Sequence, residues 1–213
     1  MSVLLVALLA LQAPLDDGTL VIHIDTAEVA RESFRLAAVH GGTQGGWTIA
    51  STVRFDRIRS SVVLAPILEV SSDSQPESLE FDVADPRRPQ RILGQSSRGR
   101  FTVRLLGRGT ERAREFPIAG RTVVLDDSVF ALYVFAAWQA GPRPVEVTAL
   151  VPRSGRRETL SIEDLGVGPA TLRHIRISGG ANQVVELWLD RDGRLHRIEI
   201  PSRRVRVERL PPA

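Results

Sequence analysis

The four histidines, His23, His40, His174 and His196, are the side chains of this chain best suited to hold a metal or move a proton. None stands two or four positions from another, the spacing that sets two ligands on one face of a strand or helix. A zinc site would have to be assembled wholly by the fold, so each histidine reads as an edge or solvent-facing side chain. With no cysteine, the chain has neither a thiol nucleophile nor a disulfide framework. Gly94-Gln95-Ser96-Ser97-Arg98-Gly99 is one residue too long for a Gly-x-Ser-x-Gly elbow and sits between strand and turn, where the elbow needs strand then helix. What remains is apolar volume and arginine. Phe130, Tyr133, Val134 and Trp138 could line a cleft for an apolar or lipid-like ligand, and Tyr133 carries a hydroxyl that a dry core would have to satisfy. Arg203, Arg204 and Arg206, with Arg153, Arg156 and Arg157, could meet anionic head groups or the acidic surface of an envelope protein; solvated strand edges are the simpler account of them.

Two further motifs dissolve on inspection. Ile24-Asp25-Thr26-Ala27 resembles the Asp-Thr-Gly of aspartic proteases, but alanine replaces the glycine and no second copy supplies the carboxylate that shares the proton. Asp190, Asp192 and Gly193 resemble the start of a calcium loop, yet His196 and Arg197 follow where oxygen ligands are needed. Phosphate loops and dinucleotide fingerprints are absent. The sequence therefore implies no catalytic set, no metal and no cofactor, and a hydrolase would need residues gathered from scattered positions.

The elements that would position these residues are mostly strands. Val184 to Asp190 and Arg194 to Ile200 alternate apolar and polar residues on either side of Asp192-Gly193, a hairpin signature, and Arg204 to Arg209 follows as a third strand. Earlier strands are expected at Thr19 to Ile24, Arg31 to Val39, Trp47 to Arg57, Ser61 to Val70 and Ser78 to Val83. Asp85-Pro86-Arg87-Arg88-Pro89 breaks the pattern, because neither proline can donate to a ladder. Further strands are expected at Gly99 to Leu106, Glu111 to Ile118, Arg121 to Leu125, Pro144 to Val151, Glu158 to Leu165 and Thr171 to Ile177. One segment departs from the period of two. Asp126-Asp127-Ser128 offers an N-cap, Val129 to Trp138 is uncharged, and Gly141-Pro142 stops it, so a buried helix is predicted over 128–139, with a buried strand pair as the alternative. A helix among antiparallel strands implies a curved sheet or half-barrel wrapped around it.

Composition bounds the rest. The 213 residues, 43% of them hydrophobic, suffice for one core, expected as a single domain over 18–210. All 28 basic residues are arginine and the net charge is only +3, with Arg interleaved with Asp and Glu, which argues against a nucleic-acid-binding face. Val3 to Leu11 is an apolar run of secretory-leader length, too short to span a bilayer as a helix, so residues 1–13 read as a leader. An uncleaved anchor and an ordinary core strand are the alternatives.

Three pieces carry a family likeness: Ile24-Asp25 with Arg31-Glu32-Ser33-Phe34, then Leu125 to Tyr133, and finally Val185 to Asp190 with Gly193 and Leu195. They resemble uncharacterised secreted bacterial β-proteins that bear domain-of-unknown-function labels. The resemblance implies an exported, curved antiparallel sheet around a helix, broadly similar to periplasmic lipoprotein carriers, and brings no catalytic residue. The expectation is thus an all-β protein, exported to the bacterial periplasm or beyond, with no membrane span in its mature chain. It would bind an apolar ligand in the concavity between sheet and helix, or act as a structural or interaction module of the envelope.

Overall fold

The computed structural model describes residues 15–39, 45–56 and 61–211, and of Pro169 the backbone alone. The leader run Val3 to Leu11 and His40 lie outside the described residues. The first half of the chain is a meander: β1 (Asp16–Ile24), β2 (Ala27–Val39), β3 (Gly46–Asp56), β4 (Ser61–Ser71), β5 (Pro76–Ala84), β6 (Gln90–Ser97), β7 (Arg100–Gly107) and β8 (Thr110–Pro117). After β9 (Thr122–Val124) and the helix α1 (Tyr133–Trp138), it continues through β10 (Val145–Val151), β11 (Arg156–Val167), β12 (Arg173–Gly179), β13 (Val184–Leu189), β14 (Leu195–Ile200) and β15 (Val205–Arg209).

All fifteen strands join one open sheet in the order β8-β7-β6-β5-β4-β3-β2-β1-β15-β14-β13-β12-β11-β10-β9. Sequential neighbours pair except β8 and β9, which form the two edges, and the first and last strands meet, Val21 opposite Glu208 and His23 opposite Arg206. Every ladder is antiparallel but one. β9 runs parallel to β10, with Val123 opposite Ala149.

That parallel pair explains why a helix exists here at all. Antiparallel neighbours can be joined by a tight turn, whereas parallel neighbours need a crossover, and α1 lies in the crossover from β9 to β10. The helix has six residues, where the sequence predicts twelve over 128–139. Its first turns are lost to competing hydrogen bonds. Asp126 Oδ1 accepts the Ser128 N–H at 2.9 Å in a local turn, and Asp126 and Val129 form an isolated bridge. The Glu32 carboxylate takes the N–H groups of Phe130 and Ala131 at 2.7 and 3.0 Å. Ser128 is therefore no N-cap; that place falls to Leu132, which makes no side-chain cap.

Strand β6 is not among the strands expected from the sequence, and Gly94 is the reason. The Phe101 ring lies on it so closely that a Cβ there would stand 2.5 Å from Phe101 Cζ. A residue that looks like a strand breaker is the seat of a buried aromatic.

One face of the sheet, together with the segment from β9 through α1, forms a continuous apolar core from Leu20 and Phe34 to Val147, Leu187 and Val207. Two acids at its boundary are anchored by arginines. Asp126, 2% exposed, receives Arg153 Nε and Nη2, both at 2.7 Å, and Asp127 receives Arg156 Nη2 at 2.8 and 2.9 Å.

Candidate functional site

On the face away from that core, six strands align one row of side chains. Arg31 on β2 stands opposite Val21 on β1, Val21 opposite Glu208 on β15, and Glu208 opposite Arg197 on β14. Arg197 stands opposite Trp188 on β13, and Trp188 opposite His174 on β12. Directly opposed residues of a ladder sit about 5 Å apart, close enough for flat side chains to stack. They do. The His174 ring is parallel to Trp188 at 4.8 Å and 7°, and the Arg197 guanidinium lies 4.8 Å from the Trp188 centroid. Because their strands flank β13 on either side, the indole is layered between a histidine and an arginine.

Three β-bulges interrupt this region, one at each described histidine. Between β13 and β14 the register passes from Trp188 opposite Arg197 to Leu189 opposite Leu195, which leaves His196 as the extra residue. Between β1 and β2 it shifts between Ile22 and His23. Between β11 and β12 it shifts so that Gly166 faces His174 and Leu165 is unpaired. Bulges re-aim side chains, as at the extra residue His196, and His23, His174 and His196 all line one groove of about 950 Å³. The sequence scatters these histidines; the pairing order gathers them.

The groove is apolar along Val21, Leu172, Leu210 and Pro211, and charged along Arg31, Arg197, Arg209 and Glu208. Glu186 Oε2 lies 2.7 Å from His174 Nε2, and its other oxygen accepts Arg176 Nε at 2.9 Å. Arg209 is fixed by Asp16 at 2.6 and 3.0 Å and lies 5.4 Å from the Phe34 ring centroid. Two ring or guanidinium nitrogens in the groove wall, His23 Nδ1 and Arg197 Nε, are buried with no hydrogen-bond partner among the described residues. Buried polar atoms are seldom left so. The turn bearing Ala170 and Leu172 adds strain at the rim: Ala170 and Thr171 both take left-handed backbone angles, φ 58 and 60.

Chemistry at this site is limited. No serine, threonine or aspartate among the described residues lines the groove. Nor do three or more His, Asp or Glu side chains gather in a way that could hold a metal ion among the described residues.

The residues singled out from the sequence lie elsewhere. Phe130, Tyr133 and Val134 are 2, 2 and 3% exposed, packed into the core. The cavity beside Tyr133 measures about 20 Å³, room for one water and not for an acyl chain. Burial pushes the Tyr133 hydroxyl above its ordinary range, and Asn182 Nδ2 donates to it at 3.3 Å. Trp138, partly buried, packs edge-on against Trp47 and Phe135 at 5.5 and 5.3 Å. Arg203, Arg204 and Arg206 form no common patch: Arg203 donates to the Asp127 carbonyl at 2.8 Å, Arg204 meets Asp25 at 2.9 Å, and Arg206 meets Glu208 at 3.1 Å. The two motif echoes are turns. Asp190 Oδ1 caps the N–H groups of Asp192 and Arg194, and Asp25 holds φ 56 in the β1–β2 turn.

With this geometry in view, the chain has one informative likeness. It is similar to the crystal structure of a DUF1089 family protein from Pseudomonas aeruginosa. The TM-score is 0.53 at 13% identity, over 83% of this chain and 91% of that one. At that identity the likeness shows the fold alone. No protein-family profile matches the sequence, and no curated protein does. The neighbour is an uncharacterised bacterial protein, as the sequence resemblance implies, and it carries no statement about export or lipid carriage.

Proposed function

We propose that this protein is a binding protein for a small amphipathic molecule, with an apolar body and an acidic head, held in the groove across β1 and β12 to β15. The observation that carries this reading is the groove itself: about 950 Å³, apolar on one side, with the Arg197 and His23 nitrogens buried and unpartnered on the other. A groove of that size accommodates a drug-sized or single-chain lipid-like molecule. Arg197 already pairs with Glu199, and the rest of its guanidinium edge suits a carboxylate or phosphate oxygen that carries charge. Leu210, 39% exposed, and Pro211 provide greasy surface that the ligand would cover.

The ligand site thus moves from the concavity between sheet and helix to the opposite face. The half-barrel curvature belongs to the same reading, since a sheet of fifteen strands that shares one core with α1 must twist and coil. Export belongs to it too, and rests on the apolar run Val3 to Leu11 alone.

The test is native mass spectrometry of the protein purified from its own cells, with organic extraction of whatever co-purifies, followed by titration with a long-chain fatty acid. A saturable complex that Arg197→Gln weakens by about tenfold or more supports the reading. A bare protein that also fails to bind the fatty acid, read by Trp188 fluorescence against a Trp188→Phe control, removes it.

A further inference from the structure

At the far arm of the sheet, two loops on the same end carry a second concavity of a different kind. The β5–β6 connection supplies Arg87 and Arg88, and the β7–β8 turn with the start of β8 supplies Arg108 and Arg112; together they line a hollow of about 400 Å³ over Leu105 and Leu106. No acidic side chain is among its lining residues. Neighbouring arginines on β6 and β7 are matched with carboxylates, Arg104 with Glu111 and Arg91 with Glu80, while unmatched ones such as Arg143, Arg157 and Arg191 stand apart from this hollow. Here none of the four guanidinium groups has an ion-pair or hydrogen-bond partner among the described residues. The nearest acid in sequence, Asp85, is turned to its own loop, where Oδ1 accepts the Arg87 N–H at 2.9 Å.

Four like charges converging on one hollow repel one another, and nothing in the fold needs them there. Pro86 and Pro89 bracket the loop and limit its freedom, so Arg87 and Arg88 are presented with little backbone entropy left to lose. Gly109, at φ 66, closes the turn that sets Arg108 beside them. Guanidinium groups match the geometry of phosphoryl oxygens, two N–H groups to two oxygens.

We propose that this hollow binds a small compound bearing two or more adjacent phosphoryl groups. Its charge requires at least two arginines at once, and the hollow is too small for a folded partner and large enough for a di- or triphosphate. This site is separate from the groove at β12 to β15 and does not depend on it.

The experiment is isothermal titration of the full chain with inorganic tripolyphosphate and with orthophosphate, at about 0.15 M salt, where long-range attraction between exposed charges is screened. Saturable binding is expected for tripolyphosphate, at least about tenfold tighter than for orthophosphate. The double variant Arg87→Gln, Arg108→Gln should weaken it by about tenfold or more. A control that removes the same charge elsewhere, Arg143→Gln with Arg157→Gln, should leave it within about twofold. Equal losses in both variants would reduce the effect to net charge and overturn the site, as would the absence of saturation. Binding to vesicles of anionic phospholipid with none to tripolyphosphate would also overturn it, in favour of a membrane-facing loop pair.

Discussion

The carboxylate of Glu32 accepts the backbone N–H of Phe130, 98 residues further along the chain, at 2.7 Å. Ala131 N–H and the Ser51 hydroxyl complete its shell at 3.0 and 2.6 Å, and no cation among the described residues touches it. Glu32 is fully buried, so it ties the crossover segment to β2 at the cost of holding a carboxyl group away from water.

That arrangement fixes a pH dependence. Burial, the largest influence, pushes the Glu32 carboxyl up to about 7, against the pull of Ser51, Phe130 and Ala131, and with a small push from Asp126. The folded protein therefore keeps a proton that the unfolded chain releases near pH 4.5. Stability from this group is complete below that pH and is lost as pH rises through about 7. The loss amounts to about 3 kcal/mol, since each tenfold change in proton affinity corresponds to about 1.4 kcal/mol. Urea unfolding of wild type at pH 5 and pH 8 should show this slope, and Glu32→Gln should flatten it. An undiminished slope in the variant would assign the pH dependence to another group.

Asp126 offers a contrasting case, because its charge is matched. Its side chain is 1% exposed and that of Arg153 30%, with both guanidinium bonds at 2.7 Å. Asp126→Ala should cost about 3 kcal/mol, since it strands Arg153 at the core boundary and releases the Ser128 turn. Arg153→Met in the same chain should recover part of that loss. A double-mutant cycle in urea measures it, and simple additivity would show the pair to be uncoupled.

Gly94→Ala tests whether β6 is held by its neighbour's ring. The new methyl would collide with Phe101, itself fully buried, so destabilisation of about 1 to 3 kcal/mol is expected. Adding Phe101→Leu should relieve the clash. If Gly94→Ala alone is neutral in thermal unfolding, the ring has room to move and this account of β6 fails.

Trp188→Ala separates the groove from the fold. The indole is partly exposed on the outer face, so its loss should cost only about 1 to 2 kcal/mol in cross-strand stacking with His174 and Arg197. Fatty-acid affinity should fall by about tenfold or more. Unchanged affinity would place any ligand away from this stack.

Much of this protein is legible in its residues, and the reasons it is not all legible are physical. The hairpins are readable because one-sided burial writes an alternation into each strand: Leu187 and Leu189 face the core while Glu186 and Trp188 do not. The start of the helix is not legible because Val129 to Trp138 is buried along almost its whole length, and a segment buried all round carries no period. What shortens the helix, the Glu32 carboxylate, sits on another strand and leaves no local mark. The groove is invisible for a similar reason. His174, Trp188 and Arg197 become neighbours only through the register of the β12–β13 and β13–β14 ladders, which alternation along a single strand does not announce. Of the ligand residues expected from the sequence, Phe130, Tyr133 and Val134 stand out by apolar character and lie in the core, while Trp138 is only partly buried.

The meeting of β1 with β15 has a further consequence. Among the described residues it is the one backbone ladder between the arm β1 to β8 and the arm β9 to β15, and the groove lies across it, with Val21 and His23 on one side and Glu208 and Arg209 on the other. The stack of His174, Trp188 and Arg197 needs only β12 to β14, but the groove is complete only once β15 has docked on β1. A molecule lodged there touches both arms, so it acts as a clasp on the seam. Occupancy would report that the two arms have closed on one another, and it would protect the junction between them.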